Sequence, residues 1–142
     1  MNVVVDTNVV ASAAISLKGP PAEIIRAWRA DRFSWVISAP LLDELERVLT
    51  SHRLERYLTW SPEEVREFVG LIEEVATVVE PNRRISVIAE DLADNLVLEA
   101  AVEAKAEYIV TGDSHLLSLA EFEGIPVVSP VRFLVALAEL NP

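Results

Sequence analysis

Three valines in succession, Val3-Val4-Val5, end at an acid, Asp6, and Tyr108-Ile109-Val110 runs in the same way into Thr111-Gly112-Asp113. β-Branched side chains are stiff at χ1 and pack well on a pleated surface, so both runs predict strands. Neither run alternates with polar residues. A strand that is apolar at every position must be covered on both faces, which is the condition of a parallel sheet between layers of helices. In such sheets ligands bind just beyond the carboxyl ends of the strands. If both strands are parallel and central, Asp6 and Asp113 lie near each other at one edge, with Gly112 letting the backbone turn without a Cβ clash. The simpler reading is a turn at Asp6 and Asn8 and a helix cap at Asp113, because Asx side chains satisfy nearby backbone groups.

The intervening chain alternates helices and strands. Residues 16–21 read as a loop around Gly19-Pro20-Pro21, and 22–30 as a helix with Ile24, Ile25 and Trp28 on one face. A short strand over 33–37 leads to Ser38, an N-cap for a helix reaching about residue 49. Residues 51–58 predict a short charged helix. Ser61-Pro62-Glu63-Glu64 opens another, with its acids at the positive end of the dipole. A strand over 77–79 and a loop with Arg83 and Arg84 precede a helix over 91–104. That helix is apolar nearly all round and should be largely buried. A short helix over 114–119, a strand over 125–128 and a C-terminal helix from Pro130 complete the chain. This order predicts a three-layer α/β/α fold with a central, mostly parallel, twisted sheet and helices on both faces. The 142 residues show no repeat or linker, so one domain over 1–142 is expected.

Composition narrows the chemistry. At 51% hydrophobic residues the chain is not disordered, and without cysteine it holds neither disulfides nor thiolate metal sites. No apolar run approaches the roughly 20 residues that span a bilayer, and the start lacks a basic segment followed by an apolar one. No membrane partner and a cytoplasmic location are therefore expected. The net charge of −11 opposes a broad grip on nucleic acid, which rests on neutralising phosphates. It leaves solvated acidic helix faces, acids gathered at a cation site, or both.

Two further acids stand out. Asp94, with Asp91 and Asn95, lies at the mouth of the apolar helix, where a cap is the plain account and a cation site the functional one. On the helix after Ser38, Glu44 and Glu46 fall on opposite borders of the stripe Leu41, Leu42, Leu45, Val48, Leu49, while Asp43 and Arg47 fall on the far face. Spacing alone does not choose between the two glutamates. His52 and His115 have no ligand spacing and read as ordinary surface residues.

Taken in order, Val5-Asp6-Thr7-Asn8-Val9, Ser38 with Leu41-Leu42-Asp43-Glu44-Leu45, Asp94-Asn95 and Val110-Thr111-Gly112-Asp113 resemble the PIN domain. The likeness is to the bacterial and archaeal group of toxin components of toxin–antitoxin pairs, and it extends to Val128-Ser129-Pro130-Val131-Arg132-Phe133-Leu134. The resemblance implies a metal-dependent ribonuclease leaving a 5′-phosphate and a 3′-hydroxyl. By position, Asp6, Glu44, Asp94 and Asp113 match the acidic quartet, catalytic and metal-binding, and Glu44 is preferred to Glu46. Asn8 and Thr111 match the polar positions that orient the ligands. Relatives often carry a proline and further acids before the third acid. Asp91-Leu92-Ala93-Asp94 departs from that, which leaves Asp91 without an assigned role.

Carboxylate ligands imply one or two Mg²⁺ or Mn²⁺ ions. RNA is the implied substrate, with Arg53 and Arg56 as candidate contacts. An antitoxin and a second copy of the chain are the implied partners. A groove near the helices over 22–30 or 63–75 is a candidate seat for the antitoxin. Two rivals stand beside this reading. One is a catalytically silent PIN-fold module that binds RNA or protein. The other is a phosphotransferase with Asp6 as nucleophile, which would want a second acid where Asn8 stands.

Overall fold

The computed structural model describes residues 1–87 and 92–140, apart from the side chain of Leu92. Asp91 lies outside the described residues. The elements run β1 (Asn2–Val5), α1 (Thr7–Ile15), α2 (Pro20–Arg29), β2 (Ser34–Ser38), α3 (Ala39–Leu49), α4 (His52–Glu55), α5 (Pro62–Val75) and β3 (Thr77–Val79). They continue with α6 (Leu92–Ala104), β4 (Tyr108–Val110), α7 (Ser114–Leu117), β5 (Glu121–Phe122), β6 (Ile125–Val128) and α8 (Pro130–Leu140).

The six strands form one sheet in the order β3-β2-β1-β4-β6-β5. Every pairing is parallel except the edge pair β5–β6. The expected α/β architecture with a mostly parallel sheet is therefore present. Val3, Val4 and Val5 are each no more than 3% exposed, and since successive strand side chains point to opposite faces, both faces of β1 are covered. Val3 is in register with Trp35 and Tyr108, so these three share a face. Trp35 there meets Trp28 of α2 and Phe68 of α5, and Tyr108 meets Phe133 of α8. Val4 and Ile109 occupy the opposite face, and α6 packs across β2, β1 and β4 with α3 beside it. Val97, Leu98, Ala100 and Ala101 of α6 are fully buried, as its all-round apolar pattern requires.

The strand order sets where chemistry belongs. The chain builds outward from β1 through β2 to β3, then crosses back to place β4 on the other side of β1. The crevice beyond the carboxyl ends of β1 and β4 is the topological switch point of the sheet. Asp6 N–H donates to the Val110 carbonyl at 2.9 Å, which holds the two strand ends side by side.

Several local expectations differ from the structure. A nine-residue helix, α1, begins directly after Asp6, so Asp6 and Asn8 do not form a mere turn. The charged helix expected over 51–58 is only His52–Glu55, because Thr59 is drawn onto the end of α1, its N–H and hydroxyl both donating to the Ala14 carbonyl at 2.8 Å. The helix after Asp113 likewise stops at Leu117. The β5–β6 hairpin turns on Glu123 and Gly124, both at positive φ as a two-residue primed turn demands. Arg83, from the loop after β3, holds that turn through two hydrogen bonds to the Glu123 carboxylate at 2.7 and 2.8 Å.

Candidate metal centre

Asp6 follows β1, Glu44 lies on α3, Asp94 is in the first turn of α6, and Asp113 precedes α7. All four line one open cavity of about 520 Å³ at the carboxyl edge of the sheet. Each arrives by a different local route. Asp6 holds the N-cap position of α1 in extended conformation but closes no cap hydrogen bond with its side chain. Its Oδ2 instead accepts the Thr111 hydroxyl at 2.7 Å. Thr111 is fully buried and also accepts the Asp113 N–H at 3.0 Å, so one hydroxyl ties the ends of β1 and β4 together. Asp113 caps α7, its Oδ1 accepting from the backbone of His115 and Leu116. The plain account of Asp113 as a cap is correct, and it also fixes the carboxylate on the cavity wall.

Asp6 is 6% exposed and Asp94 4%. Burial raises the Asp6 pKa above its ordinary value; the Thr111 hydrogen bond opposes this, Asp113's charge adds to it, and the N–H groups of Asn8 and Thr7 favour the anion. Two carboxylates held close enough to feel each other, one of them desolvated, form a site where a cation relieves both costs. Asp94 benefits from the positive end of α6.

Glu44 is set inside the cavity wall with 18% of its side chain exposed, whereas Glu46 is exposed and does not line the cavity. Arg47, expected on the far face of α3, instead lines the cavity and is ion-paired with Glu44. Helix geometry fixes the direction of Cβ, but an arginine head lies several bonds further and three-residue neighbours meet. Asn8 also lines the cavity. Of the two arginines singled out from the sequence, Arg53 lines it and Arg56 does not.

His115 is a surface residue as expected, with one further feature: its Nδ1 lies 3.9 Å from Asp113 Oδ1. Asp94, Asp113 and His115 can each offer a ligand atom within 4.8 Å of the others. Its position two residues after Asp113, at the start of a helix, was the available signal. His52 is a surface residue as expected, paired with Glu55 at 3.1 Å. The donor set fits a hard divalent cation: carboxylate oxygens at the core, one imidazole at the rim.

Residues 2–115 match the PIN domain family, a span that contains all four acids, Thr111 and His115. The chain is 31% identical over 119 residues to the uncharacterized protein MJ1680 of Methanocaldococcus jannaschii, covering 84% of this chain and 75% of that protein. It also resembles a chain in the crystal structure of VapBC2 from Rickettsia felis bound to a DNA fragment from their promoter. That likeness has a TM-score of 0.58 at 14% identity, over 91% of this chain and 98% of the other, and speaks for the fold alone. Motif order, strand topology and family match agree, and the chain belongs to the PIN domain family.

Proposed function

We propose that this PIN domain is a metal-dependent ribonuclease and the toxin of a toxin–antitoxin pair. The observation that carries the reading is the convergence of Asp6, Glu44, Asp94 and Asp113 on one cavity at the switch point of the sheet. Asp6 and Asp113 are the direct ligands of Mg²⁺ or Mn²⁺, and Glu44 and Asp94 hold the ion directly or through water. When bound, the ion supplies a polarised water and charge stabilisation for in-line displacement at phosphorus. Thr111 keeps Asp6 and Asp113 in register through its two hydrogen bonds. Asn8 and the α3 side chains bound the space that the phosphodiester enters. The products are a 5′-phosphate and a 3′-hydroxyl.

One solved structure of similar fold is that of VapBC2, which supports an antitoxin as partner. A second groove, lined by Ile25, Arg26, Trp60 and Glu64 of the α2–α5 side, shares no lining residue with the acidic cavity and is the expected seat for an antitoxin segment. Val131 and Val135, both more than half exposed on α8, support pairing of two copies. No described helix is long and apolar enough to cross a membrane.

The test is cleavage of a mixed, structured RNA pool by purified protein with Mg²⁺, Mn²⁺ or EDTA, beside Asp6→Asn and Asp113→Asn. Thermal melts with and without metal show whether each variant folds and binds. Metal-dependent cleavage lost in both folded variants is the expected result. Folded wild-type protein with neither metal-induced stabilisation nor cleavage would leave the silent binding module as the better account.

A further inference from the structure

The acidic cavity carries its own cations. Among its described lining residues the basic ones are Arg47 and Arg53, on a chain whose net charge is −11. Arg47 lies three residues along α3 from Glu44, and its guanidinium is paired with Glu44 Oε2. The two partners differ in exposure: 75% of the Arg47 side chain is open to solvent against 18% of Glu44. Arg47 therefore reaches in from the rim to a carboxylate set in the wall. Its head can leave without disturbing the core, and its planar fork of N–H donors matches a phosphate as well as it matches a carboxylate. A divalent cation taking Glu44 would face a guanidinium on the same group, and two cations on one carboxylate repel. Arg53, from α4, stands on the same cavity wall and offers a backbone phosphate a second point of contact.

We propose that Arg47 is an exchangeable counter-ion: in the metal-free protein it neutralises Glu44, and when a divalent cation takes Glu44 it turns outward to bind the phosphodiester backbone of RNA. This rests on reading the cavity as the site of a metal-dependent ribonuclease. It makes Arg47 a competitor of the metal and a ligand of the substrate, so removing it moves the two affinities in opposite directions. An arginine that only supports the helix would move neither, or would weaken both.

The test uses the whole chain with Arg47→Gln and Arg47→Lys, each checked by thermal melting. Mn²⁺ alone is titrated by calorimetry. Binding of a 2′-O-methyl phosphorothioate single-stranded RNA is then followed by anisotropy at saturating Mn²⁺ over a range of salt, with its integrity checked afterwards. Breaking an exposed ion pair of this kind should tighten Mn²⁺ binding in Arg47→Gln by about two- to fivefold. The same variant should bind RNA more weakly, with the slope of log K against log salt reduced by about 0.7, one phosphate contact on a single strand. Arg47→Lys keeps the charge and should retain the wild-type slope. Unchanged or weaker Mn²⁺ binding in folded Arg47→Gln, or an unchanged salt slope, overturns the proposal while leaving the ribonuclease reading intact. Wild-type protein that binds no Mn²⁺ overturns both.

Discussion

Thr111→Val is the substitution that most sharply separates a tuned site from a coincidence of acids. Valine has the shape of threonine, and Thr111 is fully buried, so packing is preserved while one hydroxyl is lost. Two hydrogen bonds go with it: the donation to Asp6 Oδ2 at 2.7 Å and the acceptance from Asp113 N–H at 3.0 Å. A hydrogen bond to a buried charged group contributes about 1.5–3 kcal/mol, and an ordinary one about 0.5–1.5 kcal/mol. Metal-free Thr111→Val should therefore lose about 2–4 kcal/mol at neutral pH. An unfolding entropy of about 2.1 cal/mol/K per residue over the chain corresponds to a fall in Tm of about 7–13 °C. The loss should also depend on pH. Thr111 favours the Asp6 anion, so the variant raises the folded pKa of Asp6 further. The deficit is then fully developed above the variant's folded value and narrows as pH falls through both folded values. Melting curves in EDTA across pH read both effects. A Tm within about 3 °C of wild type at neutral pH, or a deficit that does not change with pH, would refute the argument.

Four other outcomes follow from the structure. Because the folded pKa of Asp6 is raised, the stability linked to its proton is present in full below the unfolded value of about 3.9 and is lost as pH rises through the folded one; metal-free Asp6→Asn, which never ionises, should gain on wild type in Tm over that rise, and equal pH profiles would contradict it. Mn²⁺ at about 100 times its Kd should stabilise wild type by about 2.7 kcal/mol, roughly 9 °C, and should not stabilise Asp6→Asn, as differential scanning fluorimetry would record. His115→Gln should narrow the preference for Mn²⁺ over Mg²⁺ severalfold in competition titrations, since imidazole adds less to Mg²⁺, and an unchanged ratio would remove His115 from the site. Ser61→Ala breaks the capping box in which Ser61 Oγ accepts the Glu64 N–H at 3.1 Å and Glu64 Oε1 the Ser61 N–H at 3.0 Å; it should lower Tm by about 2–6 °C without altering Mn²⁺ affinity.

What the sequence disclosed was what short-range physics writes into it. Two uninterrupted apolar runs ending at acids predicted central strands and the edge where Asp6 and Asp113 meet, because burial on both faces leaves no room for alternation. The all-round apolar pattern of α6 predicted its burial. α1 was not foreseen: Val9, Val10, Ala13 and Ala14 are buried, yet small and β-branched residues give no strong amphipathic stripe, and packing against α2 and α3 supplies what local propensity does not. β5 has two residues, too few to carry a period, and exists because Glu123 and Gly124 close a tight turn on β6. The cavity position of Arg47 and the approach of His115 to Asp113 were not legible for a different reason. Their backbones sit where the pattern put them, but a long or ring-bearing side chain reaches partners that a helical wheel does not draw.

The acidity of the chain, awkward for the proposed action on RNA, is answered locally rather than globally. Charges beyond about 8 Å are screened at physiological salt, so a net charge of −11 bears on solubility more than on the contact itself. At the cavity the proposed inventory is four carboxylates and two arginines. Fully ionised and without metal, that set is net negative and repels a phosphodiester. One divalent cation brings it to neutrality, and two make it positive. In the proposed ribonuclease, attraction for RNA would thus follow the metal, and the proposed exchange at Arg47 would sharpen the dependence, because the guanidinium would turn toward phosphate only when Glu44 is otherwise occupied. On the proposed reading the order is metal first, substrate second, and the electrostatics of the metal-free site would guard against unproductive binding. RNA affinity in EDTA equal to that in Mn²⁺ would contradict this order, whatever the cleavage activity.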